Sequence, residues 1–333
     1  MTSKEVIAVL DGDEIAYSIS AACEKRSINV TNIKSGQVSN FKHRTEMKKF
    51  LDGLEIPEDC FEVKDLQEPD DIANCLHSVK VVIENIKTKC KADKIEVYLS
   101  GKDNFRNTIP LPSQYKSNRK DTLKPVLLDE VRNYIQTKYK ATIVNGQETD
   151  DKVSQRMFDG YKSKQKIIGV TVDKDAMQNA GWLFNRDKME EPEFIDGTLG
   201  SLWIDDKNKV RGKGRKWLYL QWIIGDKTDF YDPTEICKVR YGEKSAYKLL
   251  NELQTDAECI KAIYELYLTW YPEITTFTSY DGIERKMITV QIMQMYLDCA
   301  RMRRFEGDIV YVEDLLKRFE ITYEKQQEEI NND

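Results

Sequence analysis

Four short apolar runs, "VIAVLDGD", "KIEVYLS", "ATIVNG" and "KIIGVTVDKD", are separated by stretches of helical periodicity. Runs of four to six apolar residues bounded by turn residues read as buried strands. Between them, "DDIANCLHSVKVVIENIKTKC" places Ile72, Leu76, Val79 and Ile83 on one face, and "VLLDEVRNYIQTKY" and "TDDKVSQRMFDGYKSK" are amphipathic. Strands alternating with helices predict an α/β fold, a mostly parallel sheet with helices on its faces. In such sheets functional groups gather outside the carboxyl ends of the strands. Asp11, Asp173 and Asp175 stand at such ends, and Glu148, Asp150 and Asp151 follow another.

That placement makes "GQETDDKV" (146–153) informative. Singly, each acidic stretch is more often a solvated helix start or turn. Together with Asp226 and Asp229 in "GDKTD", eight carboxylates fall on one expected rim. Crowded carboxylates repel and raise one another's pKa unless a cation sits among them. Hard oxygen ligands favour magnesium, or manganese, and eight exceed what one ion needs, so two metal positions are expected. A two-metal site activates water and stabilises both oxygens of a phosphoryl displacement.

The remaining features narrow the chemistry. His43 and His77 are the only histidines, so acid–base work is expected to rest on carboxylates, lysines and metal. Seven cysteines without a CxxC pair read as reduced thiols rather than a zinc site or disulfide framework. No apolar run reaches the roughly 18 residues of a membrane span, and "MTSKEVIAVLDG" lacks the apolar core of a signal peptide. A cytoplasmic monomer is expected. The net charge of −6 speaks against nucleic-acid binding only as a sum, because distribution matters more. In "QYKSNRKDTLK", Lys116, Arg119 and Lys120 recur at helical spacing beside Tyr115, and Arg106 and "VRGKGRK" add positive charge. Such a segment grips phosphates and offers a ring for a base to stack on. "KVRGKGRKW" is expected to be a mobile loop. "INVTNIKSGQVSNFK" reads as a hairpin, "RTEMKKFLDGL" as a helix, and the chain after "IIGDKTDFYDP" as mostly helical, with a loosely ordered tail "YEKQQEEINND". In "YGEKSAYKLL", a helix opening at Gly242, Lys244 and Ser245 presents backbone amides to a phosphate.

Through "LDGD", "FR…YKSNRK", "ETDD", "VDKD" and "GDKTD", in that order over roughly residues 6–250, the chain resembles the phage 5′→3′ exonucleases of the flap endonuclease family, relatives of the 5′-nuclease domain of bacterial DNA polymerase I. The resemblance implies a nuclease domain over 1–222 with a helical arch at 104–125, and a helical DNA-binding region over 223–333 containing a helix–three-turn–helix element. It implies that Asp11, Glu148, Asp150, Asp151, Asp173, Asp175, Asp226 and Asp229 hold two magnesium ions. Lys116 and Arg119 would contact the scissile phosphate, and Tyr115 would stack on a base. The turn from Gly242 would hold the duplex backbone near a potassium ion. The implied substrate is DNA with a free 5′ end or flap, or an RNA–DNA hybrid, cut in phage replication or host-DNA degradation. Two departures stand out: the family's acid after the second strand falls on Gly101, with Asp103 nearest, and the glycine-rich hairpin keeps only Gly242. Two rival readings are a haloacid-dehalogenase-type phosphatase, with Asp11 as nucleophile and Asp13 as its acid, and a DNA-binding protein of the same fold that has lost turnover.

Overall fold

A computed structural model describes residues 5–54, 56–120 and 122–323; the expected loose tail from 324 onward lies outside the described residues. The described chain forms two compact units. One contains the Ile7–Asp11 strand, residues 86–122, and the chain from Ala141 onward; the other contains Gly12–Asn85 and Leu123–Lys140. The chain passes between the units after Asp11, Asn85, Thr122 and Lys140, and the helices after residue 223 belong to the unit that holds the sheet.

The first unit is built on a six-stranded sheet ordered Thr142–Val144, Lys94–Ser100, Ile7–Asp11, Ile167–Val170, Gly181–Phe184, Glu193–Ile195. The first five strands are parallel and the last is antiparallel. The register pairs Asp11 with Tyr98 and Leu10 with Val170, so the parallel strands present their carboxyl ends on one edge of the sheet. Ile7, Val9, Tyr98, Val144 and Ile167 form one buried cluster with Val153 of the Thr149–Ser163 helix. Burying one such aliphatic side chain stabilises by about 1.5–3 kcal/mol, enough to seat that helix on the sheet with its first turn at the carboxyl rim.

The Arg215–Ile224, Glu243–Leu250, Asp256–Trp270, Thr289–Ala300 and Val312–Arg318 helices share a second, larger core in the same unit. A capping box between Thr255 and Glu258 starts the Asp256–Trp270 helix, satisfying two of its orphan amides. The Thr275–Thr278 and Glu284–Met287 strands form a hairpin within this region.

The basic segment departs from the expected helix. It contains the 3-10 turns Phe105–Thr108 and Ser117–Arg119, and Ile109, Leu111 and Tyr115 are buried in the helical core. Pro110 and Pro112 explain the difference: each lacks an N–H and disfavours helix before it. "KVRGKGRKW" also departs from the expected mobile loop, since it supplies the Val210–Lys213 strand, paired with Ser201–Ile204, and then the first turn of the Arg215–Ile224 helix.

The second unit holds an antiparallel sheet ordered Val38–Phe41, Glu24–Asn32, Phe61–Pro69, with the expected hairpin and the Arg44–Asp52 helix. Asp13 is ion-paired with Arg132 in this unit. No helix among the described residues is long and apolar enough to cross a membrane.

Candidate metal centre

The Thr149–Ser163 helix opens with Glu148 at its N-cap and Asp150 and Asp151 in its first turn. Its partial positive end favours carboxylates there. Thr149 Oγ1 lies 2.6 Å from Ser100 Oγ, which ties this turn to the end of the Lys94–Ser100 strand. One carboxylate oxygen from each of Glu148, Asp150 and Asp151 lies within 4.8 Å of the others. At an effective dielectric of about 20, a pair of charges at such a distance repels by about 3 kcal/mol. Something positive must answer that repulsion.

Arg106 and Lys116 answer part of it. Arg106 is 1% exposed and all five of its N–H groups are engaged. Its Nη1 reaches Asp151 at 2.5 Å and Glu148 at 3.3 Å, and Nη2 reaches Asp151 at 3.1 Å and the Arg301 carbonyl at 2.9 Å. Nε donates to the Cys299 carbonyl at 3.2 Å. The guanidinium thus faces inward rather than towards a nucleic-acid backbone. Asp151, fully buried, also accepts from the Arg303 amide at 3.1 Å, so both its oxygens are taken. Lys116 Nζ donates to Glu148 and lies 3.4 Å from Asp229. These carboxylates outweigh the cost of burial and hold the Lys116 ammonium above the usual lysine range.

Asp229 is presented by a tight loop. Gly225 ends the Arg215–Ile224 helix at φ +68°, and a Cβ there would lie 2.3 Å from the Tyr231 carbonyl; only glycine fits. Asp226 and Tyr231 exchange backbone hydrogen bonds at 3.0 and 3.2 Å, and Asp226 Oδ1 accepts from the Thr228 amide at 2.6 Å. The loop then meets the basic segment: the Lys116 amide donates to the Asp229 carbonyl at 2.9 Å. Arg119 donates to Asp229 at 2.7 Å and to the Thr228 carbonyl at 3.2 Å. The Tyr115 hydroxyl donates to Asp229 at 2.7 Å, with Glu148 3.1 Å away. Tyr115 is 4% exposed and stacked on Tyr231 at 6.3 Å between centroids, so its ring is committed to the protein. Lys116 itself has φ +56°, a left-handed conformation costing about 1–2 kcal/mol for a non-glycine residue.

Along the rim from Ile167–Val170, Asp173 Oδ1 accepts from the Asp175 amide at 2.9 Å. Asp175 is buried and accepts from Gln221. Burial, then Glu148, Asp151 and Asp173, push Asp150 well above the carboxylate range; burial, then Asp173 and Asp226, do the same to Asp175. Burial also raises Asp173, with Asp229 adding to it. Asp226 goes the other way: burial is outweighed by Lys174, whose Nζ lies 2.6 Å away. Lys174, Gln221 and Tyr231 join the site beyond the residues expected from sequence, and the signal for the first is a lysine flanked by Asp173 and Asp175. Asp11 ends the central strand of the same sheet.

The other expected residues lie outside this cluster of contacts. Lys120, Gly242, Lys244 and Ser245 are exposed, the last three at the start of the Glu243–Leu250 helix. Gly101 is explained by crowding: a Cβ there would lie 2.1 Å from Asn145 Oδ1 and 2.7 Å from Ile143 Cγ2. Asn145 Oδ1 accepts from the Lys102 amide at 2.9 Å, so an acid at 101 would break that contact. Asp103 is exposed, at φ +64°.

No family model and no curated protein sequence matches the chain. Solved structures do. A bacteriophage T5 flap endonuclease variant, in complex with DNA and metal ions, superposes with a TM-score of 0.51 at 13% identity, covering 94% of this chain and 99% of that one. The T5 D15 protein co-crystallised with metal ions gives 0.48 at 12% identity over 94% of this chain and 96% of that one. The first of these likenesses shows that the chain has the fold of the 5′-nucleases.

Proposed function

We propose that the chain is a metal-dependent 5′-nuclease that hydrolyses phosphodiesters of DNA carrying a free 5′ end or a 5′ flap, with RNA–DNA hybrid as a further substrate. The observation that supports this best is the charge imbalance at the rim. Arg106, Lys116, Arg119 and Lys174 pair with Asp151, Glu148, Asp229 and Asp226, while Asp150, Asp173 and Asp175 are pushed up by burial and by neighbouring carboxylates, a repulsion that bound divalent cations relieve. The donors are all oxygens, the set that magnesium or manganese prefers. Asp11, Glu148, Asp150, Asp173, Asp175, Asp226 and Asp229 would hold the ions. Asp151 would support the set from behind through Arg106. When bound, two such ions supply an activated water and stabilise the attacking and leaving oxygens.

The chain's own residues carry the rest. Lys116, poised between Glu148 and Asp229 on a strained backbone, is placed to turn its ammonium to a phosphate that enters the rim. Arg119 flanks it and is half exposed, with room to follow. Tyr115 and Arg106 act by position, Tyr115 holding Glu148 and Asp229 together. Lys120 and the helix start at Gly242, Lys244 and Ser245 would contact the duplex backbone, with a potassium ion at that turn. The chain would act as a monomer, in the host cytoplasm, in phage replication or host-DNA degradation.

Cleavage of a 5′-labelled duplex and a 5′-flap substrate, with magnesium and with EDTA, tests the reading. Magnesium-dependent release of short 5′-phosphorylated products supports it, and product length separates exonuclease from flap cutting. Tight DNA binding without cleavage would favour the binding protein, consistent with the missing acid at Gly101. Lys116→Ala should slow turnover roughly 10²-fold, the scale of removing one charge-stabilising donor, while DNA affinity stays nearly constant. Equal losses in both would reduce Lys116 to a general phosphate contact.

A further inference from the structure

We infer that one unpaired nucleobase of the DNA strand inserts into an aromatic cavity beside the acid rim, stacking on Trp203. This rests on the nuclease reading above and adds a subsite to it. The cavity has a volume of about 420 Å³ and is lined by Asp173, Lys174, Met177, Met189, Trp203 and Trp217. That size falls within the range of small-molecule sites, roughly 300–1,000 Å³.

Its two indoles differ in role. Trp217 is 4% exposed, and its Nε1 donates to the Lys174 carbonyl at 3.0 Å, so it is a fixed wall. Trp203 is 41% exposed on the Ser201–Ile204 strand. The hairpin carrying it is held at its tip. Asp205 accepts from the Lys207 and Lys209 amides at 3.0 and 2.9 Å, and from Arg211 Nε at 2.7 Å. A large aromatic surface left half open on a braced hairpin offers stacking area without a large ordering cost.

Charge selects the occupant. Exposed Lys188 and Lys207 also line the cavity, as do Asp205, which holds Arg211, and exposed Asp206. Aromatic faces interleaved with lysine and arginine are what single-stranded nucleic acid binds, the rings taking bases and the cations the backbone. An apolar ligand would leave the lysines unused. Asp173 belongs both to the cavity and to the acid rim, so the base received here belongs to a nucleotide close to the phosphate held at the rim. Extruding a base costs a few kcal/mol from a duplex and least where it is already unpaired. The flap junction supplies such a base.

The test is equilibrium binding of fluorescent 5′-flap duplexes, with calcium replacing magnesium to limit cleavage. Each duplex carries one abasic nucleotide, stepped through the positions around the junction. Wild type should lose roughly ten- to a hundredfold in affinity at one position, the span of one lost base stack, and little elsewhere. Trp203→Ala should lose a similar factor on intact DNA and nothing further at that position. Trp203→Phe should restore most of the affinity, and an unchanged melting temperature for both variants excludes misfolding. Equal wild-type affinity across the series would overturn the subsite, as would a positional loss that persists in Trp203→Ala. Failure to bind or cleave any intact flap DNA would sink the nuclease reading along with it. Binding and cleavage without positional dependence would sink the subsite alone.

Discussion

Asp150→Ala is expected to lower magnesium-dependent cleavage by roughly 10³-fold, the upper scale for removing one electrostatic element of a transition-state site, without lowering stability. Asp150 sits in the first turn of the Thr149–Ser163 helix, where Oδ1 accepts from the Asp151 amide at 2.7 Å. Glu148, Asp151 and Asp173 all oppose its ionisation. Removing it relieves that repulsion, so the metal-free protein should melt at the same temperature or slightly higher. Single-turnover cleavage and a thermal melt of the same preparation check both halves. Retained cleavage would remove Asp150 from the metal set, and a large fall in melting temperature would recast it as a structural residue.

Arg106→Ala should do the opposite, unfolding the protein before it affects chemistry. The substitution leaves Asp151 charged, fully buried and without its guanidinium partner. Breaking a buried pair from one side costs about 3–5 kcal/mol, whereas replacing both partners with apolar residues of similar volume is often neutral. Urea denaturation of Arg106→Ala should therefore show that loss, and Arg106→Met combined with Asp151→Leu should recover most of it. A cost below about 1 kcal/mol, within the range of exposed ion pairs, together with weakened DNA binding would restore Arg106 to the role of an outward phosphate contact.

The contrast between these two residues marks how much was legible in the sequence. The strands ending at Asp11, Ser100, Val144 and Val170 were readable because each is a short apolar run, and their parallel order follows from the helices between them. That order alone places Asp150 and Asp173 on one rim. The direction in which Arg106 points was not readable, because it depends on a contact 45 residues away with Asp151 and on carbonyls of Cys299 and Arg301. The same holds for Tyr115: its basic neighbours in sequence suggest a stacking surface for a base, while its burial comes from the distant helical core. The basic spacing of Lys116, Arg119 and Lys120 suggested a helix that Pro110 and Pro112 argue against. The Phe61–Pro69 strand escaped because "FEVKDLQEP" is largely exposed and polar, so it carries little of the alternation that marks a strand. Lys174 was visible in "VDKD", but only the fold puts Asp226 beside it.

The most direct test of the central claim is the number of manganese ions the protein binds, counted by electron paramagnetic resonance during titration of wild type and Asp150→Ala. A rim of crowded carboxylates built for two divalent cations predicts two ions per chain for wild type, and weakened or lost binding in the variant. Wild-type protein that binds no manganese at millimolar concentration would contradict the account: the rim would then be neutralised by its own lysines, arginines and protons.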